Sequence, residues 1–235
     1  MTLTTLFTNI ANAIRAKKGT SAPIVAEDFP DEISSISGGG SSPYTELEYI
    51  EGTGNQYIDT GVSLKDVTNY EIEFKFKPTN ITDSYNEYLT VEETLELFIS
   101  NGGSLSYKFG GKRVNNFLTV NTNTIYDLKI TYNSNNVTIT NDGTQIGTIS
   151  NVGPLDTSTS LLFLRFYAGF QTITAKAKVY KFKISINGEV VQDYVPSKIS
   201  AFNIPYYGNI GMYDKANNNF YINSGTGSFI AGPEV

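Results

Sequence analysis

The 235-residue chain has no cysteine, no histidine and no tryptophan. Without cysteine there is no disulfide, no thiolate metal site and no cysteine nucleophile. Without histidine the commonest general base and metal ligand are missing, and without tryptophan so is the best platform for stacking a sugar ring. Charge is also scarce. Only 17% of residues are charged, and 23 acidic side chains outnumber 17 basic ones for a net charge of −6. A chain of that sign lacks the basic surface that phosphates require, so no nucleic-acid partner is expected. The longest apolar stretch, Leu161-Leu162-Phe163-Leu164, is too short to cross a bilayer and reads as a buried strand, so no membrane span is expected. The opening Met1-Thr-Leu-Thr-Thr-Leu-Phe7 has neither a basic n-region nor an apolar h-region, and export by a signal peptide is not expected.

What the chain does have is 16 Tyr, 14 Phe and 21 Gly, with many Asn, Thr and Ser, the residues that β-sandwiches use for strands and turns. Before these comes one helical signal. Leu3, Leu6, Phe7, Ile10, Ala13 and Ile14 recur at helical spacing, Arg15, Lys17 and Lys18 suit the negative end of the dipole, and Gly19 supplies the stop. Asp28, followed by Asp31, predicts a second short helix that opens there and ends near Ile36. Residues 38–43, Gly-Gly-Gly-Ser-Ser-Pro, read as a flexible linker, which divides the chain into a helical module over 1–37 and a domain over 44–235. A module of that size, with Leu3, Leu6, Phe7, Ile10 and Ile14 on one stripe, is expected to anchor on a partner or to oligomerise.

From Tyr44 onward the period is two. Tyr70, Ile72, Phe74 and Phe76 alternate with Glu71, Glu73, Lys75 and Lys77 up to Pro78. Leu105, Tyr107 and Phe109 repeat the pattern, as do Tyr126, Leu128, Ile130 and Tyr132. Hairpins are predicted at Asn101-Gly102-Gly103, Asn141-Asp142-Gly143 and Asn187-Gly188. A two-residue turn at the last pairs Ile186 with Glu189, Ile184 with Val191 and Tyr180 with Val195, leaving Phe182 awkwardly opposite Asp193. The inward face changes parity near residue 179, where a bulge is expected. The fold class is mainly β: an antiparallel two-sheet jelly-roll sandwich preceded by a small α-helical module.

The segment from Tyr44-Thr-Glu-Leu-Glu-Tyr-Ile to Asp59-Thr-Gly61 resembles the opening of LamG-like, concanavalin A-like lectin domains of phage tail and bacterial surface proteins. The same pattern returns in Val179–Pro196, Ile210–Asp214 and the stretch from Asn219 to Phe229. The stretch Leu6–Arg15, with Gly19-Thr20 and 24–30, is similar to a short module at the front of minor virion proteins of phages that infect Gram-positive bacteria. The resemblance implies a bacteriophage virion structural protein of tail, baseplate or fibre. Such a protein is made in the host bacterial cytoplasm and located in the virion, touching other virion proteins through residues 1–37. It is expected to be a homo-oligomer whose sandwich recognises host cell-wall polysaccharide. The alternative is a capsid or tail decoration protein with a purely structural role.

No enzyme is expected. Glu71 and Glu73 share a strand face, as a glycosidase pair requires, but Lys75 and Lys77 continue that face and point to a solvated ladder of ion pairs. Glu92, Glu93 and Glu96 form an acidic cluster in which calcium is conceivable but too few oxygen ligands are visible, so no cofactor and no metal site are assigned. For a glycan, the best-placed residues are Tyr85, Asn86 and Tyr88 in a loop predicted over 82–89, and Lys112, Arg113 and Asn115 after Gly110-Gly111.

Overall fold

In the computed structural model, helix α1 spans Leu3–Lys18. Thr2 caps its start by accepting a hydrogen bond from the Thr5 N–H at 3.2 Å, and Gly19, in the left-handed conformation at φ 64°, donates back to the Arg15 carbonyl. A 3-10 turn over Ala26–Asp28 leads directly into a short helix α2, Phe29–Ser34. The second helix therefore opens directly after Asp28, the residue predicted at its N-cap position and also the last of the 3-10 turn, with Asp31 and Glu32 in its first turn; its predicted end at Ile36 lies outside the described residues. The structure describes residues 2–34, 43–82, 85–92, 94–100, 102–164, 175–200 and 208–235. The chain divides into two units, Met1–Pro43 and Tyr44–Val235.

The second unit is built from strands β1 (Tyr44–Glu46), β2 (Ile50–Thr53), β3 (Ile58–Ser63), β4 (Asn69–Pro78), β5 (Tyr85–Val91), β6 (Leu95–Ser100), β7 (Ser104–Phe109), β8 (Lys112–Thr119) and β9 (Tyr126–Asn133). It continues with β10 (Asn136–Asn141), β11 (Thr144–Ser150), β12 (Ser160–Phe163), β13 (Lys176–Ile186), β14 (Glu189–Ile199), β15 (Ile210–Asp214), β16 (Asn219–Ile222) and β17 (Ile230–Ala231). They form two antiparallel sheets. The first runs β11-β10-β9-β4-β13-β14-β15-β16, with β1 on β14 and β2 bridging β13 and β17; the second runs β3-β12-β5-β6-β7-β8. This is a jelly-roll sandwich.

The alternating strands bury their expected faces. Ile72, Phe74, Phe76, Leu128, Ile130, Tyr132, Leu105, Tyr107 and Phe109 are all withdrawn from solvent, and so is Leu161–Leu164 at β12. Aromatic rings join the sheets: Phe163 of β12 stacks on Phe182 of β13 at 4.6 Å, and Phe76 of β4 lies 4.7 Å from Tyr88 of β5. At the Asn187-Gly188 turn both residues take positive φ, 53° and 84°, as a type I′ hairpin needs. The register beyond it differs from expectation. A bulge shifts the pairing between Ile184 and Ser185, so that Ile184 faces Gln192 and Phe182 faces Tyr194. The awkward Phe182–Asp193 pair thereby becomes an aromatic one, with ring centroids 5.9 Å apart. The bulge expected near residue 179 is present, between Val179 and Lys181 on the β4 side.

Candidate functional site

The outward faces of the two sheets differ in kind. On the first sheet, Glu71 pairs with Lys129 at 2.8 Å, and Glu73 with Lys181 at 2.6 Å and Lys183 at 3.3 Å, all partly exposed. Partial burial alone raises the Glu73 pKa, but hydrogen bonds from Lys181 and then Lys183 outweigh it and hold the carboxyl below its usual range. Both carboxylates are thus engaged in a cross-strand ladder, and such exposed pairs contribute little stability, about 0–1 kcal/mol each.

On the second sheet the outward face of β5 and β6 is not solvated. Leu95, Leu97 and Ile99 of β6 join the central apolar cluster, so Glu96 and Phe98 between them point away from it, yet they are only 3% and 2% exposed. Their cross-strand neighbours on β5, Thr90 and Glu87, are fully buried. Lys108 of β7 reaches Glu96 at 2.8 Å, Arg113 of β8 lies 3.8 Å from its other oxygen, and the Arg113 guanidinium sits 4.8 Å over the Phe98 ring. A buried carboxylate needs such partners, since desolvating it alone costs several kcal/mol.

Lys108 also lines a cleft of about 640 Å³ at the end of this sheet. The β5–β6 turn contributes Glu92 and Thr94, the β7–β8 turn Gly110 and Gly111, and the loop before β12 contributes Gly153, Pro154, Leu155 and Asp156. Two devices hold its walls. Lys112 donates to the Ser150 and Asn151 carbonyls, both at 2.9 Å, and Glu92 Oε2 accepts from the Thr157 and Thr159 hydroxyls, the latter at 2.6 Å. Those hydroxyls keep the Glu92 carboxyl below its ordinary pKa. The cleft offers carboxylates as hydroxyl acceptors, an ammonium as donor and a proline face. That combination suits a polyhydroxylated ligand.

The predicted glycan residues fare differently. Tyr85, Asn86 and Tyr88 do not form a loop but lie in β5. Asn86 and Tyr88 are fully buried, because a bulge between Glu87 and Leu89 turns Tyr88 towards Phe74 and Phe76, while Asn86 pairs with Ile99. Neither can touch a surface glycan in this conformation; the Tyr85 side chain lies outside the described residues. Lys112, Arg113 and Asn115 are on β8 and exposed. Of these, Lys112 clasps the cleft loop and Arg113 covers Phe98. The sequence reading missed Lys108 and Asp156. Glu93, part of the acidic cluster, lies outside the described residues; Glu92 and Glu96 serve separate networks, and no group of three His, Cys, Asp or Glu able to hold a metal occurs among the described residues.

Among the described residues the Asn86 side-chain amide makes no hydrogen bond, although both of its polar atoms are buried. Leaving such a group unsatisfied costs about 1–3 kcal/mol. Asn86→Leu is expected to raise the urea midpoint of unfolding with an unchanged m-value. A lowered midpoint would mean that the amide has a partner in solution.

No family model matches this chain, and no curated protein matches its sequence. Solved structures do. A candidate carbohydrate-binding protein from Bacteroides ovatus superposes with a TM-score of 0.58 at 11% identity, over 80% of this chain and 60% of its own. The CBM40 domain of a Ruminococcus gnavus sialidase, bound to α2,3-sialyllactose, gives 0.47 at 12% identity over 62% of this chain and 92% of its own. A sialidase gives 0.41 at 14% identity over 52% of this chain. The chain spans only 13% of that sialidase. What the Bacteroides ovatus likeness establishes is the lectin-like sandwich.

Proposed function

We propose that residues 44–235 form a glycan-recognition domain whose ligand lies in the cleft of Glu92, Lys108 and Asp156. The observation that carries this reading is the cleft itself: a preformed concavity with opposed charges, walled by turns that Lys112 and the Thr157–Thr159 hydroxyls lock in place. The likeness to a candidate carbohydrate-binding protein supports it. The test is retention of the full chain on a printed panel of purified bacterial cell-wall polysaccharides. Carboxylate hydrogen bonds contribute about 1.5–3 kcal/mol each, so the double variant Glu92→Gln, Asp156→Asn is expected to bind about tenfold or more weakly. Wild-type chain that binds no member of the panel, or a double variant that binds as well as wild type, overturns the reading.

The wider setting we propose is a bacteriophage virion, in a tail, baseplate or fibre, with residues 1–37 contacting other virion proteins and avidity from many copies offsetting weak single sites. The two sequence resemblances, over 6–30 and over 44–61, support it. A particle carrying the chain without residues 44–235 should assemble but fail to adsorb. Intact adsorption with altered particle stability would instead establish the decoration role.

A further inference from the structure

The N-terminal unit buries very little of its own apolar surface. Among its described residues only Ala11 and Ile14 are buried, while Leu3, Leu6, Phe7 and Val25 are exposed, at 66%, 42%, 39% and 54%. A unit of this size has too little interior to hold itself together without a metal, a disulfide or a partner, and the chain has no cysteine. Leu3, Phe7, Ile10 and Ile14 follow one another at steps of four, three and four, a narrow apolar stripe whose Ile14 end is buried within the unit and whose Leu3 and Phe7 end is exposed.

Part of that stripe opens into a groove of about 580 Å³ between α1 and the stretch from Ile24 to Phe29. Its lining mixes polar and apolar side chains, and among the apolar ones Phe7 and Phe29 meet edge to face at 6.0 Å. The lining includes one cation and one anion, Arg15 and Glu27. They do not pair with each other: Arg15 is bonded to Asn12, and Glu27 makes no ion pair among the described residues. A groove that carries apolar side chains and one charge of each sign has the chemistry to pair with a copy of itself. Under a two-fold axis, Arg15 of one copy meets Glu27 of the other and the reverse, with apolar surface closing between them.

We infer that the N-terminal unit is a homodimerisation element that pairs, groove to groove, with the same unit of a second copy of this chain. The inference rests on residues 3–29 alone and is independent of the glycan reading. Its consequence is bivalency: two sandwiches on linked modules raise the apparent affinity for a repeating surface without any new contact.

Sedimentation equilibrium of the full chain tests it. A concentration-dependent species of twice the 25.8 kDa chain mass is expected at micromolar to sub-millimolar concentration. Arg15→Glu and Glu27→Arg, each alone, place like charges opposite one another and should weaken self-association about tenfold or more. An equimolar mixture of these two variants restores both charge pairs and should dimerise as wild type does. That rescue cannot arise if either variant is merely misfolded. A chain that stays monomeric throughout, a stoichiometry above two, or a mixture no better than its components overturns the inference; a monomeric chain would mean that a different surface covers the groove.

Discussion

At about pH 11.5 the sandwich is expected to unfold, because four buried tyrosines cannot ionise in place. Tyr70, Tyr88, Tyr107 and Tyr194 are 0–1% exposed, and burial drives each hydroxyl above the ordinary tyrosine pKa, with smaller contributions from neighbouring hydroxyls at Tyr70 and Tyr194. The sign follows from linkage. The folded state holds these protons more tightly than the unfolded chain, whose tyrosines titrate near 10, so their contribution is complete below pH 10 and falls as pH rises above it. One and a half units above that value each tyrosine costs about 2 kcal/mol, at 1.36 kcal/mol per unit, and four together cost about 8 kcal/mol. That is comparable with the 5–15 kcal/mol stability of a typical domain. Tyrosinate absorbance and the near-ultraviolet circular dichroism should change together in one cooperative step above pH 10. Tyr88→Phe removes a hydroxyl that has no hydrogen-bond partner among the described residues and should move that step to higher pH. Tyrosines titrating gradually near pH 10 in a chain that stays folded would show that these hydroxyls reach water.

The same buried side chains mark the limit of what the sequence discloses. Tyr70, Tyr107 and Tyr132 are legible as interior because strict alternation places them beside Ile72, Phe109 and Ile130 on an apolar face. Tyr88 and Asn86 are not, because the bulge at Glu87–Leu89 breaks the period in a strand that is buried on both faces, and a strand without alternation resembles a loop. The Asn187-Gly188 turn is readable from its two residues, but the pairing four residues further on is not, since a bulge adds a residue without any mark in composition. The Glu96 cluster left one faint signal. In Leu95-Glu96-Leu97-Phe98-Ile99 the intervening positions carry a lone acid and a phenylalanine, and a phenylalanine on an outward face implies that the face is covered. Which cations reach that acid depends on register across three strands, and no local pattern encodes it. The cleft is harder still, since its walls come from turns about 60 residues apart in sequence.

Gly211→Ala should lower the melting temperature by about 6–12 °C, the shift that about 3 kcal/mol produces in a domain of this size. A Cβ at this position would stand 2.1 Å from the Tyr221 carbonyl oxygen and 2.9 Å from the Phe220 ring, and the first of these is backbone that cannot swing aside. The strand pair β15–β16 must therefore open. Its displacement would carry Tyr221 away from Tyr194, against which its ring is set edge to face at 5.0 Å, and away from Gln192 Nε2, 3.2 Å from its hydroxyl. Gln192 belongs to the first sheet and donates at 2.7 Å to the Thr60 carbonyl of β3 in the second, so the strain reaches a hydrogen bond that ties the two layers together. Gly153→Ala is the control: among the described residues no atom lies within 4 Å of a Cβ there, and the melting temperature should not move. Equal stability for both variants would mean that β15 and β16 are farther apart than 2.1 Å of clearance allows, and the link from Gly211 through Tyr221 to the inter-sheet contact would fail with it.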